Sequence, residues 1–217
     1  MGIYKVRGKF NLTKKTLKIK HKDTNNRVSL ITGGKSDNWE RQKHDFYATP
    51  TETTKSILEV EELEGSILEC ACGMGHISKV LKEYYPDSEI VSTDKYNYGY
   101  GTPNIDFLTY DFGRKFDNII TNPPFRVAKE FVERALQLSN NKVLMLMKIQ
   151  FLESQGRKEF LENSPLKYVY CFSERQSTMR DGLEFNPKTN KPWSTAFFLA
   201  WFVWEKDYKE EPIIKWL

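Results

Sequence analysis

Apolar residues recur along this chain in two alternating rhythms. One is the helical spacing of three and four. Ile77, Val80, Leu81 and Tyr84 fall at i, i+3, i+4 and i+7, and Pro86 ends the run. Val127, Phe131 and Ala135 repeat at i+4, as do Ala128, Val132 and Leu136, which predicts a second amphipathic helix. A third is predicted after Thr49-Pro50-Thr51-Glu52, with Thr49 as cap, Pro50 at the first helical position and Glu52 closing a capping box. Ile57, Leu58 and Leu63 give it an apolar side. The other rhythm is the short, nearly continuous apolar run. Residues 142–149 read as a buried parallel strand with methionines as core filler. Further strands are predicted from residue 66, at 89–94, from 115, at 167–172 and at 196–204. Strands and helices alternate, so the predicted class is α/β, a mostly parallel sheet of about seven strands with both faces covered.

Two strand ends carry punctuation that core packing does not require. The run from Lys115 stops at Asn122-Pro123-Pro124-Phe125. Two prolines force the chain out of the sheet, leaving an amide, a carbonyl and an aromatic ring at the carboxyl end of a strand. Ligands bind at that end of open α/β sheets. The strand beginning at Ser66 runs into Glu69, then Gly73 and Gly75, then a helix. The two glycines allow a tight turn and the close approach of a ligand to the backbone. The third glycine of a dinucleotide fingerprint falls at Ser78, which disfavours a nicotinamide oxidoreductase. Asp94 closes the next strand, 19 residues after Gly75. Cys70, Cys72 and His76 have the wrong spacing for a metal site, and no metal is expected.

This order of motifs resembles that of amino-methyltransferases, enzymes that methylate exocyclic amines with S-adenosylmethionine (AdoMet), and in particular the small adenine-specific DNA methyltransferases of phages and prophages. The likeness runs from about residue 44 to the C-terminus. It implies a class I, Rossmann-like AdoMet-dependent methyltransferase fold. It implies catalysis at Asn122, Pro123, Pro124 and Phe125, the last stacking on a flipped adenine. Tyr47 and Thr49 are then expected at the AdoMet carboxylate end, Glu69, Gly73 and Gly75 in the cofactor motif, Asp94 on the ribose, and Asp106 and Phe107 at the adenine. The implied activity is methyl transfer to N6 of adenine in DNA, with evasion of host restriction, a restriction system or an orphan regulator as the open settings. Related Asn-Pro-Pro-aromatic motifs also serve RNA adenine and protein glutamine. A nucleic-acid-binding protein that keeps the fold without turnover is the non-enzyme alternative.

Charge adds a partner. The net charge is +4, but residues 1–43 hold twelve Lys/Arg against three acids, about +9, and the remainder about −5. A basic arm at 1–43, outside the family likeness, joined to a 44–217 domain suits a polyanion. DNA is the expected partner, with RNA as the alternative. Residues 173–195 form a long polar stretch with Arg175, Arg180, Phe185 and Trp193, suited to phosphate contact and base stacking, and are the expected target-recognition loop. The tail 205–217 is expected as an edge segment with Ile213, Ile214 and Trp216 docked on the body. No apolar window is long enough to span a membrane and no signal-like run opens the chain. Three cysteines suit a reducing cytoplasm. A monomer is favoured.

Overall fold

The computed structural model describes residues 46–174, 176, 179, 183, 185–192 and 198–217. Arg175, Arg180, Trp193 and the basic arm lie outside the described residues. Nine strands are described: β1 (Ile67–Glu69), β2 (Ile90–Ser92), β3 (Phe116–Thr121), β4 (Ser139–Lys148), β5 (Leu166–Cys171), β6 (Phe185–Asn186), β7 (Lys191–Pro192), β8 (Leu199–Glu205) and β9 (Ile213–Trp216). Four α-helices are described with them: α1 (Thr51–Leu58), α2 (His76–Tyr84), α3 (Ala128–Leu138) and α4 (Gln155–Asn163). Seven strands make one sheet in the order β2-β1-β3-β4-β8-β5-β9. β2, β1, β3 and β4 are parallel. β8 runs antiparallel between β4 and β5, and β9 is parallel to β5. β6 and β7 form a separate hairpin within the expected recognition loop.

Strand β4 shows why the sheet must be covered twice. Val143, Met145 and Met147 belong to one core cluster with Phe131, Val132 and Ala135 of α3. Leu144 and Leu146, alternate residues on the same strand, belong to the other, with Ile57 of α1 and Ile77, Val80 and Leu81 of α2. A period of two sends successive side chains to opposite faces, so an unbroken apolar run needs helices on both sides. α3 buries Ala128, Phe131, Val132 and Ala135, at i, i+3, i+4 and i+7. At the amino end of β4, Lys142 Nζ pairs with buried Glu61 at 2.9 Å, and the Tyr170 hydroxyl donates to the same carboxylate at 2.6 Å. This ties the exit of α1 to the sheet, at the end away from the motifs.

The structure departs from two expectations. The first turn of α1 has no side-chain cap; Thr53 N donates to the Pro50 carbonyl at 3.1 Å instead. Thr49 and Glu52 therefore form no capping box. The tail does add an edge strand, but its side chains do not dock. Ile214 is 54% and Trp216 71% exposed, because β9 pairs through its backbone with β5 while these residues point away from both clusters. Among the described residues no helix is long and apolar enough to cross a membrane.

Candidate active site

The chain leaves β1 for β2 on one side, then returns to β3 on the other. That reversal opens a crevice beyond the carboxyl ends of β1 and β3. A cleft of about 660 Å³ lies there, a volume suited to a small-molecule ligand. Glu69 ends β1, Asp94 follows β2, and Asn122 follows β3, and all three line it. Tyr47, Thr49, Asp106, Phe107 and Pro124 line it as well. Residues separated by up to 77 positions therefore meet in one cavity.

The Asn122 carboxamide is held in one orientation. Its Nδ2 donates to the Tyr47 carbonyl at 2.9 Å and to Thr49 Oγ1 at 3.1 Å. A carbonyl only accepts, so the nitrogen must face the 47–49 segment and Oδ1 must face the other way. Thr49 is buried, and its hydroxyl serves the amide rather than the helix cap. Pro123 is buried and does not line the cleft. Phe125 opens a 3-10 turn (Phe125–Val127). Its ring lies 6.0 Å from that of Tyr47, nearly parallel at 19°, with Lys148 Nζ 4.7 Å from its centroid. It lines an adjoining hollow of about 300 Å³ with Lys148, Gln150 and Arg157, and Arg126 lines both cavities. Phe125 thus stands beside the main cleft, not in it.

Glu69 is 1% exposed. Burial pushes its carboxyl up to about 8, with hydrogen bonds from Ser78 pulling back. Ser78 Oγ donates to Glu69 Oε2 and lies 2.6 Å from Ser92 Oγ. The position where a dinucleotide fold places its third glycine here supplies a hydroxyl to the acid at the end of β1.

Asp94 Oδ2 accepts the Gly73 amide and Oδ1 the Tyr96 amide, each at 2.8 Å. The carboxylate thus fastens the glycine turn as well as facing the cleft. Asp106 is paired with Lys95 at 2.7 Å and accepts the Leu108 amide at 3.2 Å. Lys95 beside it holds Asp106 below the usual carboxylate range. Phe107 is buried against Phe112 and Phe131.

The two glycines do turn the chain, with φ of +51° at Gly73 and +78° at Gly75. The expected open approach is corrected. A Cβ on Gly73 would fall 2.2 Å from the Phe46 ring, and one on Gly75 2.4 Å from the Tyr100 ring. Aromatic side chains fill the space over both glycines, and neither lines the cleft. Phe46 in turn stacks on Tyr98 at 4.5 Å and 18°, and both rings wall the cavity. The sequence alone assigns no role to Phe46, Lys95 or Tyr98; the pair Phe46-Tyr47 and the clustered Tyr96, Tyr98 and Tyr100 are the signals it offers. Phe185, expected at the target, is 47% exposed on β6.

No protein-family model matches the sequence, and no curated protein does. Solved structures are similar in fold. The precorrin-6y C5,15-methyltransferase of Geobacter metallireducens is 11% identical, over 78% of this chain and 94% of that one, with a TM-score of 0.50. A putative hemolysin of Lactococcus lactis is 10% identical, over 76% and 89%, with a TM-score of 0.51. TrmN of Thermus thermophilus is 16% identical over 72% of this chain, with a TM-score of 0.47; the match spans about half (48%) of its length.

The chain has the class I, Rossmann-like methyltransferase fold. In that fold the observed strand order, the buried acids and the fixed amide coincide in the crevice beyond β1 and β3.

Proposed function

We propose that this protein transfers a methyl group from AdoMet to the exocyclic N6 amine of adenine in DNA, with the base flipped out of the duplex. The single observation that carries the reading is the fixed Asn122 carboxamide, whose Nδ2 is bound by Tyr47 and Thr49 so that Oδ1 faces away from them.

The cleft's donor set fits the cofactor. Asp94 and Asp106 face it, the latter paired with Lys95, and Glu69 adds a buried carboxyl, a polar set that suits a ligand rich in hydroxyl and amine donors. Its size falls in the range of small-molecule sites. Asp94 would hold the ribose and Asp106 with Phe107 the adenine. When bound, AdoMet supplies a methyl group activated on a sulfonium.

The chain's own residues supply orientation and charge stabilisation. The N6 amine of adenine is a poor nucleophile, since its lone pair is delocalised into the ring. Asn122 Oδ1 accepts one of its hydrogens, holds it pyramidal and stabilises the positive charge that grows on nitrogen. No strong base is required, because the proton becomes acidic only as the new bond forms. Phe125 offers a stacking face for the extruded base, with Lys148 beside it. Nucleic acid is favoured over other amines by the basic 1–43 segment and the basic, aromatic 173–195 stretch. Free thiols at Cys70, Cys72 and Cys171 suit a reducing cytoplasm.

The test uses methyl-labelled AdoMet with unmethylated duplex DNA, single-stranded DNA and total RNA, followed by digestion to nucleosides. Label in N6-methyladenine from DNA is the expected result. Label only in RNA moves the activity to RNA adenine. No label in any nucleic acid, with AdoMet bound, overturns the reading and turns the search to protein glutamine.

A further inference from the structure

The segment that fixes Asn122 is itself fixed from its other side. Ala48, between the two residues that hold the amide, forms an isolated antiparallel bridge with Met179, whose amide donates to the Ala48 carbonyl at 3.1 Å. In the first turn of α1, Thr53 Oγ1 donates to Gln176 Oε1 at 2.8 Å. Thr53 is buried, and its carbonyl accepts Trp201 Nε1 of β8 at 2.9 Å. Gln176 Nε2 donates back to the Glu174 carbonyl at 3.3 Å. Residues 47–53 therefore bind the Asn122 amide on one side and the connection between β5 and β8 on the other.

That connection is the stretch expected to meet the target. Its length exceeds what joining two neighbouring strands needs, and nothing in sheet packing requires Gln176 or Met179 to reach residues 48–53. The contact is also chemically specific. Thr53 Oγ1 is a buried donor that loses its partner if the Gln176 carbonyl withdraws, and a buried unpaired hydroxyl is costly. The bridge and the hydrogen bond thus hold 47–53 in register together. Asn122 reads that register directly, because both of its donors end on residues of this segment.

We infer that Gln176 and Met179 are positioning residues: they set the register of residues 47–53 and, through Tyr47 and Thr49, the direction of the Asn122 carboxamide, so that methyl transfer answers to what the β5–β8 connection contacts. The inference deepens the proposed function and rests on it for the identity of the substrate, a nucleic acid. It makes Gln176 a residue that acts on turnover through residues 47–49 without touching the reacting groups.

The experiment follows the Asn122 side-chain NH2 signals in the ¹⁵N-labelled full-length protein, identified by their loss in Asn122→Asp. Gln176→Leu removes the acceptor of Thr53, Gln176→Glu keeps an acceptor oxygen there, and Met179→Pro removes the backbone donor to Ala48, fixing φ at the same position. The two signals are expected to shift or broaden in Gln176→Leu and in Met179→Pro and to return in Gln176→Glu. With saturating nucleic acid, kcat is expected to fall roughly ten-fold or more in the first two, since small misplacements of a catalytic group have such effects. Unmoved Asn122 signals in both Gln176→Leu and Met179→Pro overturn the inference. So does an unchanged kcat with only KM for nucleic acid raised, which makes Gln176 a substrate contact. If no nucleic acid is methylated, the functional reading fails while the amide signals still decide whether the coupling exists.

Discussion

Thr49 Oγ1 accepts a hydrogen bond from Asn122 Nδ2 at 3.1 Å, across 73 residues of chain. With the Tyr47 carbonyl it turns the carboxamide so that only its oxygen is left for chemistry. Asn122→Ala is therefore expected to lower turnover by roughly 10²–10³, about 2.7–4 kcal/mol of transition-state stabilisation, with AdoMet affinity unchanged. Steady-state kinetics beside calorimetric cofactor titration check this. Wild-type turnover in the variant removes Asn122 from the mechanism. Thr49→Val should give a smaller loss of the same kind, and Thr49→Ser should recover it.

Asp94 has two roles. Its carboxylate accepts the Gly73 and Tyr96 amides while facing the cleft. Asp94→Ala should weaken AdoMet binding and also destabilise the apo protein, because the buried Gly73 amide loses its acceptor at about 1–3 kcal/mol, while the more exposed Tyr96 amide can turn to water. Urea denaturation and cofactor titration read the two effects separately. A loss of affinity with unchanged stability would leave Asp94 as a ribose ligand alone.

The main elements were legible because their causes are local. The helices at 76–84 and 128–138 follow from apolar spacing, and β4 from an unbroken apolar run. The strand ends carrying Glu69 and Asn122 were legible for the same reason, since glycine and proline mark where strands must stop. What was hidden depends on partners distant in sequence. Thr49 reads locally as a helix cap, and only the arrival of Asn122 reassigns it. Gly73 and Gly75 read as room for a ligand, and only the folded chain shows Phe46 and Tyr100 filling it. The Lys95–Asp106 pair and the Gln176–Thr53 bond have no sequence signature at all. Ile214 and Trp216 read as apolar and hence docked, but an edge strand satisfied by backbone pairing leaves them exposed.

Tyr100 packs flat over Gly75, whose φ is +78°. Gly75→Ala combines an unfavourable backbone conformation with a Cβ 2.4 Å from that ring. A loss of about 1–3 kcal/mol is expected. Gly75→Ala with Tyr100→Ala should recover the steric part and leave the backbone part. Equal losses in the single and double variants would show that the ring contributes nothing.

Glu69 makes stability depend on pH. Its carboxyl is raised from 4.5 to about 8 by burial, so between those values the folded protein binds a proton that the unfolded chain does not. The contribution is fully present below about 4.5 and is lost as pH rises through about 8. A shift of this size corresponds to something on the order of 5 kcal/mol between the two limits. Denaturation across pH 5–9 is expected to show stability falling with pH, and Glu69→Gln, which keeps an acceptor for Ser78, should flatten the curve. An identical slope in that variant assigns the dependence to another group.

The basic segment makes its own prediction, through salt. Lys14, Lys15, Lys18, Lys20 and Lys22 sit in the stretch that carries about +9. Each phosphate that a lysine neutralises releases counterions and adds about −0.9 to the slope of log affinity against log salt on duplex DNA. Replacing all five by glutamine in the full-length chain should weaken duplex binding at low salt and flatten the slope by up to about 4.5. AdoMet affinity should not move, because among the described residues those lining the cleft fall within 46–131. Titrations at several salt concentrations with wild type and variant give both slopes. Parallel lines would mean that these lysines meet no phosphate, and that nucleic acid is held by the folded domain alone.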